Sequence, residues 1–348
     1  MRPEFWQGKS VLVTGHTGFK GGWLSLWLQR LGAQVHGYAL PPATNPALFN
    51  VARVAEQMDT VEGDIRDLAR LISSMDAAQP QIIFHLAAQA LVRQGYQEPV
   101  DTITSNVLGT VNVLEAARCA PSVKAIVVVT SDKCYDNREW LWPYRENEAL
   151  GGRDPYSASK ACAEIVTAAW RDSFLQTQGI AVASARAGNV IGGGDWSADR
   201  LVPDALRAWQ GGAPLTVRQP HAVRPWQHVL EPLAGYLILA EKLWQGKAAG
   251  AWNFGPADSD MHAVGALLDR MAQQWGNGAV WQTENSEHLH EAGLLRLDSS
   301  KARHELGWQP RNTLDQALAL TLDWHRRWRA GDDMRTVTLQ QIDRYMMD

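Results

Sequence analysis

The chain has 348 residues, 45% hydrophobic and 20% charged, with 29 Gly and 16 Pro. That length suits about two domains around a large buried core and excludes the disordered and fibrous classes. Lys plus Arg number 33 against 37 Asp plus Glu, a formal charge of −4, and no block of like charge stands out, so a nucleic-acid or anionic-membrane partner has no electrostatic footprint.

In chain order, the first residues meet a carboxylate at Glu4, and no apolar run long enough for a signal peptide or a membrane span occurs, which predicts a cytoplasmic chain. Short β-branched runs then alternate with helical patterns, the signature of a parallel sheet covered by helices. Strands are predicted at Val11–Val13, Val35–Ala39, Met58–Val61, Gln81–Leu86, Ala125–Val129 and Ala181–Arg186. Between the first two, Trp23, Leu24, Trp27, Leu28 and Leu31 recur at helical spacing and form a stripe that packs on a sheet. Further helices are expected from about Val100 to Ala117, from about Tyr156 to Gln176 and around Leu314–Trp328. After Gly188 the texture changes. Gly192-Gly193-Gly194, Gly211-Gly212, several Pro and most of the remaining Trp mark a loop-rich region that clamps a ligand over the sheet edge.

The first strand runs into Thr14-Gly15-His16-Thr17-Gly18-Phe19-Lys20-Gly21-Gly22 and then into the Trp23 helix. Gly15 suits the tight turn, Gly18 a close approach of a pyrophosphate to the backbone, and Gly21 close helix–strand packing, while the helix N-terminus offers N–H groups to the anion. A dinucleotide site of this kind takes Gly15, Thr17, Gly18, Phe19 and Gly21, with Leu86, Ala87 and Ala88 letting the ligand lie flat after the fourth strand. Tyr38-Ala39-Leu40-Pro41-Pro42 carries neither the acidic residue of NAD sites nor an Arg for a 2′-phosphate, so NAD is the default. Asp64, next to Ile65, either contacts the adenine edge or caps a helix. The architecture expected is α/β: a Rossmann-type doubly wound parallel sheet over residues 1–187, with a return segment near 222–250, and a smaller, mainly substrate-binding C-terminal domain over 188–348.

Tyr156-Ser157-Ala158-Ser159-Lys160 sets a phenol and an ammonium four apart, on one face of a helix. The cation should lower the phenol's pKa from ~10, so that the phenolate takes a hydroxyl proton while a nicotinamide takes the hydride. Ser131 closes the fifth strand at the sheet's carboxyl edge, where its hydroxyl shares that proton. Asp132 and Lys133 then decide the reaction. Oxidation of a sugar at C4 acidifies the C5 hydrogen, and an acid beside the C6 hydroxyl permits loss of water, after which the hydride returns to C6. Asp132 is the candidate acid, which requires a raised pKa; the alternative is a carboxylate paired with Lys or Arg.

The runs Thr130-Ser131-Asp132-Lys133-Cys134-Tyr135, Trp142-Pro143-Tyr144-Arg145-Glu146, Gly188-Asn189-Val190-Ile191-Gly192-Gly193-Gly194-Asp195-Trp196 and Arg224-Pro225-Trp226-Gln227-His228-Val229 resemble the CDP-glucose 4,6-dehydratases, within the extended short-chain dehydrogenase/reductases. The resemblance covers nearly the whole chain. It implies a hydro-lyase that recycles NAD and makes CDP-4-keto-6-deoxy-D-glucose from CDP-glucose for surface-polysaccharide pathways, as a homodimer or homotetramer. Where dTDP-glucose enzymes show Thr-Asp-Glu, this chain has Ser131-Asp132-Lys133, so Lys133 is expected to take the C5 proton, or else to support the enolate or Asp132 electrostatically. A lysine base needs a pKa well below ~10.4.

A nucleotide diphosphate must be gripped by placed residues rather than by a basic surface. Arg224 is the leading choice, because its fork matches phosphate oxygens. Asn189 serves either the diphosphate or sugar, or a turn. Arg186, Arg200, Arg218 and Trp196 are each ligand-contacting or structural, and His228 belongs to the substrate set on the resemblance. Cys119, Cys134 and Cys162 lack the paired spacing of zinc or disulfide frameworks, so no metal is expected and the compartment is reducing. Two other readings stay open: a sugar-nucleotide 4-epimerase, which needs no acid at C6, and a non-catalytic NAD-binding protein of the same fold.

Overall fold

The computed structural model describes residues 1–276, 278–284 and 293–347, so positions 277, 285–292 and 348 of the expected C-terminal region lie outside the described residues. All six predicted strands form: β1 (Ser10–Thr14), β2 (Gln34–Ala39), β3 (Asp59–Glu62), β4 (Ile82–His85), β5 (Ala125–Val129) and β6 (Ala181–Ala187). A seventh, Gly250–Phe254, comes from the stretch expected to be loop-rich and pairs in parallel with β6. The order across the sheet is Gly250–Phe254, β6, β5, β4, β1, β2, β3, all parallel.

Side chains alternate across this sheet and feed two apolar layers. Val11, Val13, Phe84 and Val127 meet Trp23, Leu24, Trp27 and Leu28 of the helix Phe19–Arg30, together with Leu230, Leu233 and Leu237 of the helix Leu230–Trp244. Leu12, Ile83, Ile126 and Val128 meet Leu71 and Met75 of the helix Leu68–Ala78, and Val113 and Leu114 of the helix Gly109–Arg118. The Trp23 stripe is therefore core, as its spacing predicts.

Two expected helices form with a change of pitch. Pro99–Ile103 and Gly109–Arg118 are joined by a π-helical turn at Thr104–Leu108, and the helix Pro155–Trp170 runs into another at Arg171–Leu175. Beyond β6 the texture of loops is a partial truth. The helices Leu201–Gln210, Leu230–Trp244 and Val264–Trp275 interrupt it, and the first and third pack Val202, Leu206, Leu267 and Met271 against Leu314, Leu318 and Leu322 of the expected helix, here Leu314–Ala330. Gly211 and Gly276 close the first and third of these helices, and burial of their apolar faces makes the rest.

Candidate active site

A cleft of about 700 Å³ runs along the carboxyl ends of the strands, where β1 and β4 lead to opposite sides of the sheet. The turn after β1 builds one end. Gly15 has φ +76°, and a Cβ there would lie 2.7 Å from the Ala87 backbone nitrogen; a Cβ on Gly21 would lie 2.1 Å from the Gly15 carbonyl oxygen. Those two glycines are packing requirements. Gly18 is different: a Cβ there meets only the Gly15 carbonyl, at 3.4 Å. Its backbone is open to the cleft, and the helix that starts at Phe19 turns its first N–H groups the same way.

Thr17, Phe19, Asp64, Ile65, Leu86, Ala87 and Ala88 line the same cleft. Arg66 donates to Asp64 through its backbone N–H at 2.8 Å and its Nη2 at 2.5 Å, which holds the carboxyl below its ordinary pKa. Asp64 does not cap the following helix. Asp67 does, accepting from the Arg70 backbone N–H at 3.0 Å.

The Tyr–Lys pair stands on the first turns of Pro155–Trp170. Asp154 caps that helix, accepting from the Ser157 backbone N–H at 2.9 Å and from its hydroxyl at 2.6 Å, while Pro155 takes the first helical position. Tyr156 and Lys160 are both buried. Their electrostatics overturn the expectation that the ammonium pulls the phenol down. Burial dominates, lifting Tyr156 to about 12 and lowering Lys160 to about 8. Against that, the neighbouring Ser131 hydroxyl and the charge of Arg200 draw the phenol back down, and Glu164 holds Lys160 up.

Beneath them lies a buried ion pair. Glu164 accepts from Arg186 Nη2 at 2.7 Å, from the Ser184 hydroxyl at 2.6 Å and from the Thr130 hydroxyl. Arg186 also donates to the Tyr135 hydroxyl at 2.8 Å, so it braces the site and does not face the cleft.

β5 ends at Val129 and delivers Ser131 and the short 3₁₀ turn Asp132–Cys134 to the cleft. The Ser131 hydroxyl caps that turn, accepting from the Lys133 backbone N–H at 3.3 Å, and donates to Asp132 Oδ1 at 2.9 Å. Asp132 is 2% exposed and its Oδ2 has no hydrogen-bond partner. Burial raises its pKa, opposed by Lys133, Ser131, Arg224 and Lys20 in turn. That direction is the one a general acid requires.

Of the substrate set, Asn189, Arg200, Arg218 and Arg224 line the cleft along with Lys133. Arg200 pairs with Asp195 at 3.2 Å. Trp196 and His228 do not reach it. The Trp196 ring packs on Trp324 and Trp328 at centroid distances of 5.6 and 5.0 Å. His228 is fully buried against Trp23, and burial drives its pKa down to about 3. Core contacts hold both, Trp196 from a loop and His228 from the short strand Gln227–His228.

Lys20 was missed. Among glycines it reads as filler, yet its side chain enters the cleft, where burial and the charges of Arg200 and Lys160 lower it to about 7 while Asp132 and Asp195 draw it up. A lysine at the second position of a helix, where a cation opposes the dipole, was the available signal.

A family model described as GDP-mannose 4,6 dehydratase matches residues 12–321. The chain is similar to the CDP-glucose 4,6-dehydratase of Salmonella typhimurium, 50% identical over 350 residues that cover 99% of this chain and 98% of that protein. Its fold is that of a UDP-glucose 4-epimerase from Thermotoga maritima with UDP-glucose, with a TM-score of 0.81 at 22% identity over 91% of this chain and 98% of the other. It is equally that of a dTDP-glucose 4,6-dehydratase from Bacillus anthracis in complex with NAD, with a TM-score of 0.76 at 21% identity over 92% and 97%.

Proposed function

The chain belongs to the GDP-mannose 4,6-dehydratase family, and from that premise we propose that it is an NAD-dependent hydro-lyase converting CDP-D-glucose to CDP-4-keto-6-deoxy-D-glucose. One observation carries the choice over an epimerase: a buried Asp132 with an unpartnered oxygen lines the same cleft as Tyr156 and Lys160. Returning a hydride to C4 has no use for such an acid. Dehydration does.

NAD, when bound, accepts the C4 hydride and gives it back at C6. The open backbone at Gly18 suits its pyrophosphate, held by Gly15, Thr17, Gly18, Phe19 and Gly21, with Asp64, Ile65, Leu86, Ala87 and Ala88 along the rest. Arg66, which also lines the cleft, is already held by Asp64 and Asp101, so it offers little to a 2′-phosphate. Tyr156 takes the C4 hydroxyl proton, assisted by Ser131 and the charge of Arg200, with Lys160 one turn along the same helix. Lys133 takes the C5 proton and Asp132 protonates the departing C6 hydroxyl. Arg224, Arg218, Arg200 and Asn189 grip the nucleotide diphosphate from the opposite wall.

In this reading residues 1–187, with the return segment near 222–250, hold the dinucleotide, and 188–348 mainly hold the sugar nucleotide. The chain works in the cytoplasm; its three cysteines are unpaired, and among the described residues no helix is long and apolar enough to cross a membrane. It pairs with a second copy through the exposed Val100, Ile103, Leu108, Ile165 and Phe174. The test is an assay of CDP-glucose against dTDP-, UDP- and GDP-linked hexoses, with and without added NAD. A 4-keto product, read by its absorbance in alkali, is expected from CDP-glucose. An epimerised sugar without that absorbance would overturn the reading.

A further inference from the structure

On the 4,6-dehydratase reading, on which this inference rests, two steps share one cleft: Tyr156 opens the reaction at C4, and Lys133 with Asp132 removes water across C5 and C6. The groups for the two steps are fastened to different parts of the fold. Tyr156 and Lys160 stand on the helix Pro155–Trp170, which is held by its Asp154 cap and, through Glu164, by Ser184 and Arg186 of β6. Ser131 is held from the strand side, where the Thr130 backbone N–H donates to the Ala185 carbonyl at 3.0 Å. Lys133 lies beyond that pairing, in the turn Asp132–Cys134, and needs a support of its own.

Tyr135 supplies it. This side chain, two residues past Lys133, is buried outside the cleft and stacks on Tyr144 at a centroid distance of 5.0 Å. Its hydroxyl donates to Asn253 Oδ1 at 2.7 Å and accepts from Arg186 Nη1 at 2.8 Å. Asn253 and Arg186 are register partners on the strand Gly250–Phe254 and β6, so they meet the phenol side by side. The Asn253 amide, completely buried, has one available orientation: Nδ2 is committed to the carbonyls of Tyr144 and Asp298 at 2.9 and 3.1 Å, which aims Oδ1 at Tyr135. The turn is tied from its other side by the Gly151 N–H, which donates to the Cys134 carbonyl at 2.9 Å.

We propose that Tyr135 and Asn253 are positioning residues for dehydration: their hydrogen bond sets the turn that presents Lys133 to C5, and so governs loss of water without governing oxidation at C4. Arg186 is shared between the two steps, since its Nη2 serves Glu164 while its Nη1 serves Tyr135. The branch through Asn253 leads to the turn and not to the Tyr156 helix. A base displaced by about 1 Å forfeits roughly 100-fold in a step that depends on near-attack geometry. A phenol carried on a separately fastened helix keeps its place.

Tyr135→Phe keeps the stacked ring and deletes only the hydroxyl, and Asn253→Ala deletes its acceptor. Each variant is mixed with NAD and CDP-glucose in D2O. Stopped-flow absorbance follows NADH as it rises on C4 oxidation and falls on hydride return to C6, and NMR of quenched samples follows deuterium entering C5. Both variants should form NADH at the native rate, then consume it and take up deuterium about 10- to 100-fold more slowly. The double variant should be no slower than the slower single one, because the same hydrogen bond has been cut twice. Ser299→Ala controls for a loosened strand: it removes the acceptor of the Gly255 N–H, 2.8 Å away and two residues past Asn253, and should leave both phases at the native rate. Equal slowing of the rise and the fall in Tyr135→Phe, an unchanged fall, or the same split in Ser299→Ala overturns the proposal. A native enzyme that makes no 4-keto-6-deoxy product fails the underlying reading instead.

Discussion

Glu164→Gln strikes the site from below. The substitution keeps volume and one carbonyl oxygen but removes the charge that Arg186 Nη2 meets at 2.7 Å, between side chains 4% and 3% exposed. An uncompensated guanidinium at such depth costs about 3–5 kcal/mol, and because Gln can still accept from Ser184 or Thr130 the lower end, about 3 kcal/mol, is expected. That is a large part of the ~5–15 kcal/mol that stabilises a domain. A second effect reaches the chemistry. Glu164 holds up the pKa of Lys160, already lowered to about 8, so its loss pushes that ammonium further down and the pair loses charge at neutral pH. Urea unfolding at constant slope reads the first effect and the pH dependence of the rate reads the second. Joint replacement by Glu164→Leu and Arg186→Met should cost less than the sum of the single changes, since no lone charge remains. A loss below about 1 kcal/mol in Glu164→Gln, with the Lys160 titration unmoved, would refute the reasoning.

Burial holds His228 at about 3, whereas an unfolded histidine titrates near 6.5. The unfolded chain therefore binds the extra proton, and the stability that neutral His228 supplies is complete above pH 6.5 and lost as pH falls toward 3. At pH 5 that is about 2 kcal/mol. His228→Phe, which keeps a ring against Trp23, should lose about 2 kcal/mol less than the parent between pH 7 and 5, and equal pH dependence in urea melts would contradict it. Lys20 pulls the pKa of Asp132 down. Lys20→Met should therefore shift the alkaline limb of kcat, where Asp132 loses its proton, to higher pH; a limb that stays or moves lower excludes the contact.

The half of the site that follows strand periodicity was readable in advance. Gly15, Ser131 and Asp132 all stand within a few residues of the end of a β-branched run, and Tyr156 and Lys160 on one helical face, so local rules suffice to bring them to one edge. What escaped depends on depth. Lys160 was expected to govern the phenol, but charge effects yield to desolvation once both groups leave water, and depth is a property of the assembled fold. Trp196 and His228 turn away from the cleft for the same reason: a segment beside a ligand site presents some side chains to it and anchors others in the core, and spacing does not distinguish the two. The strand Gly250–Phe254 was hidden because its partner, β6, lies more than 60 residues earlier in the chain.

That late strand makes the molecule indivisible. The polypeptide leaves the sheet at Ala187, comes back through Leu230–Trp244 and Gly250–Phe254, and departs again. A fragment ending at Ala187 would strip Leu230, Leu233 and Leu237 from one apolar layer and bare the hydrogen-bonding edge of β6, an invitation to edge-to-edge aggregation. The two halves of the cleft are thus stitched together by repeated chain crossings, and neither can be excised, swapped or evolved as a contiguous cassette.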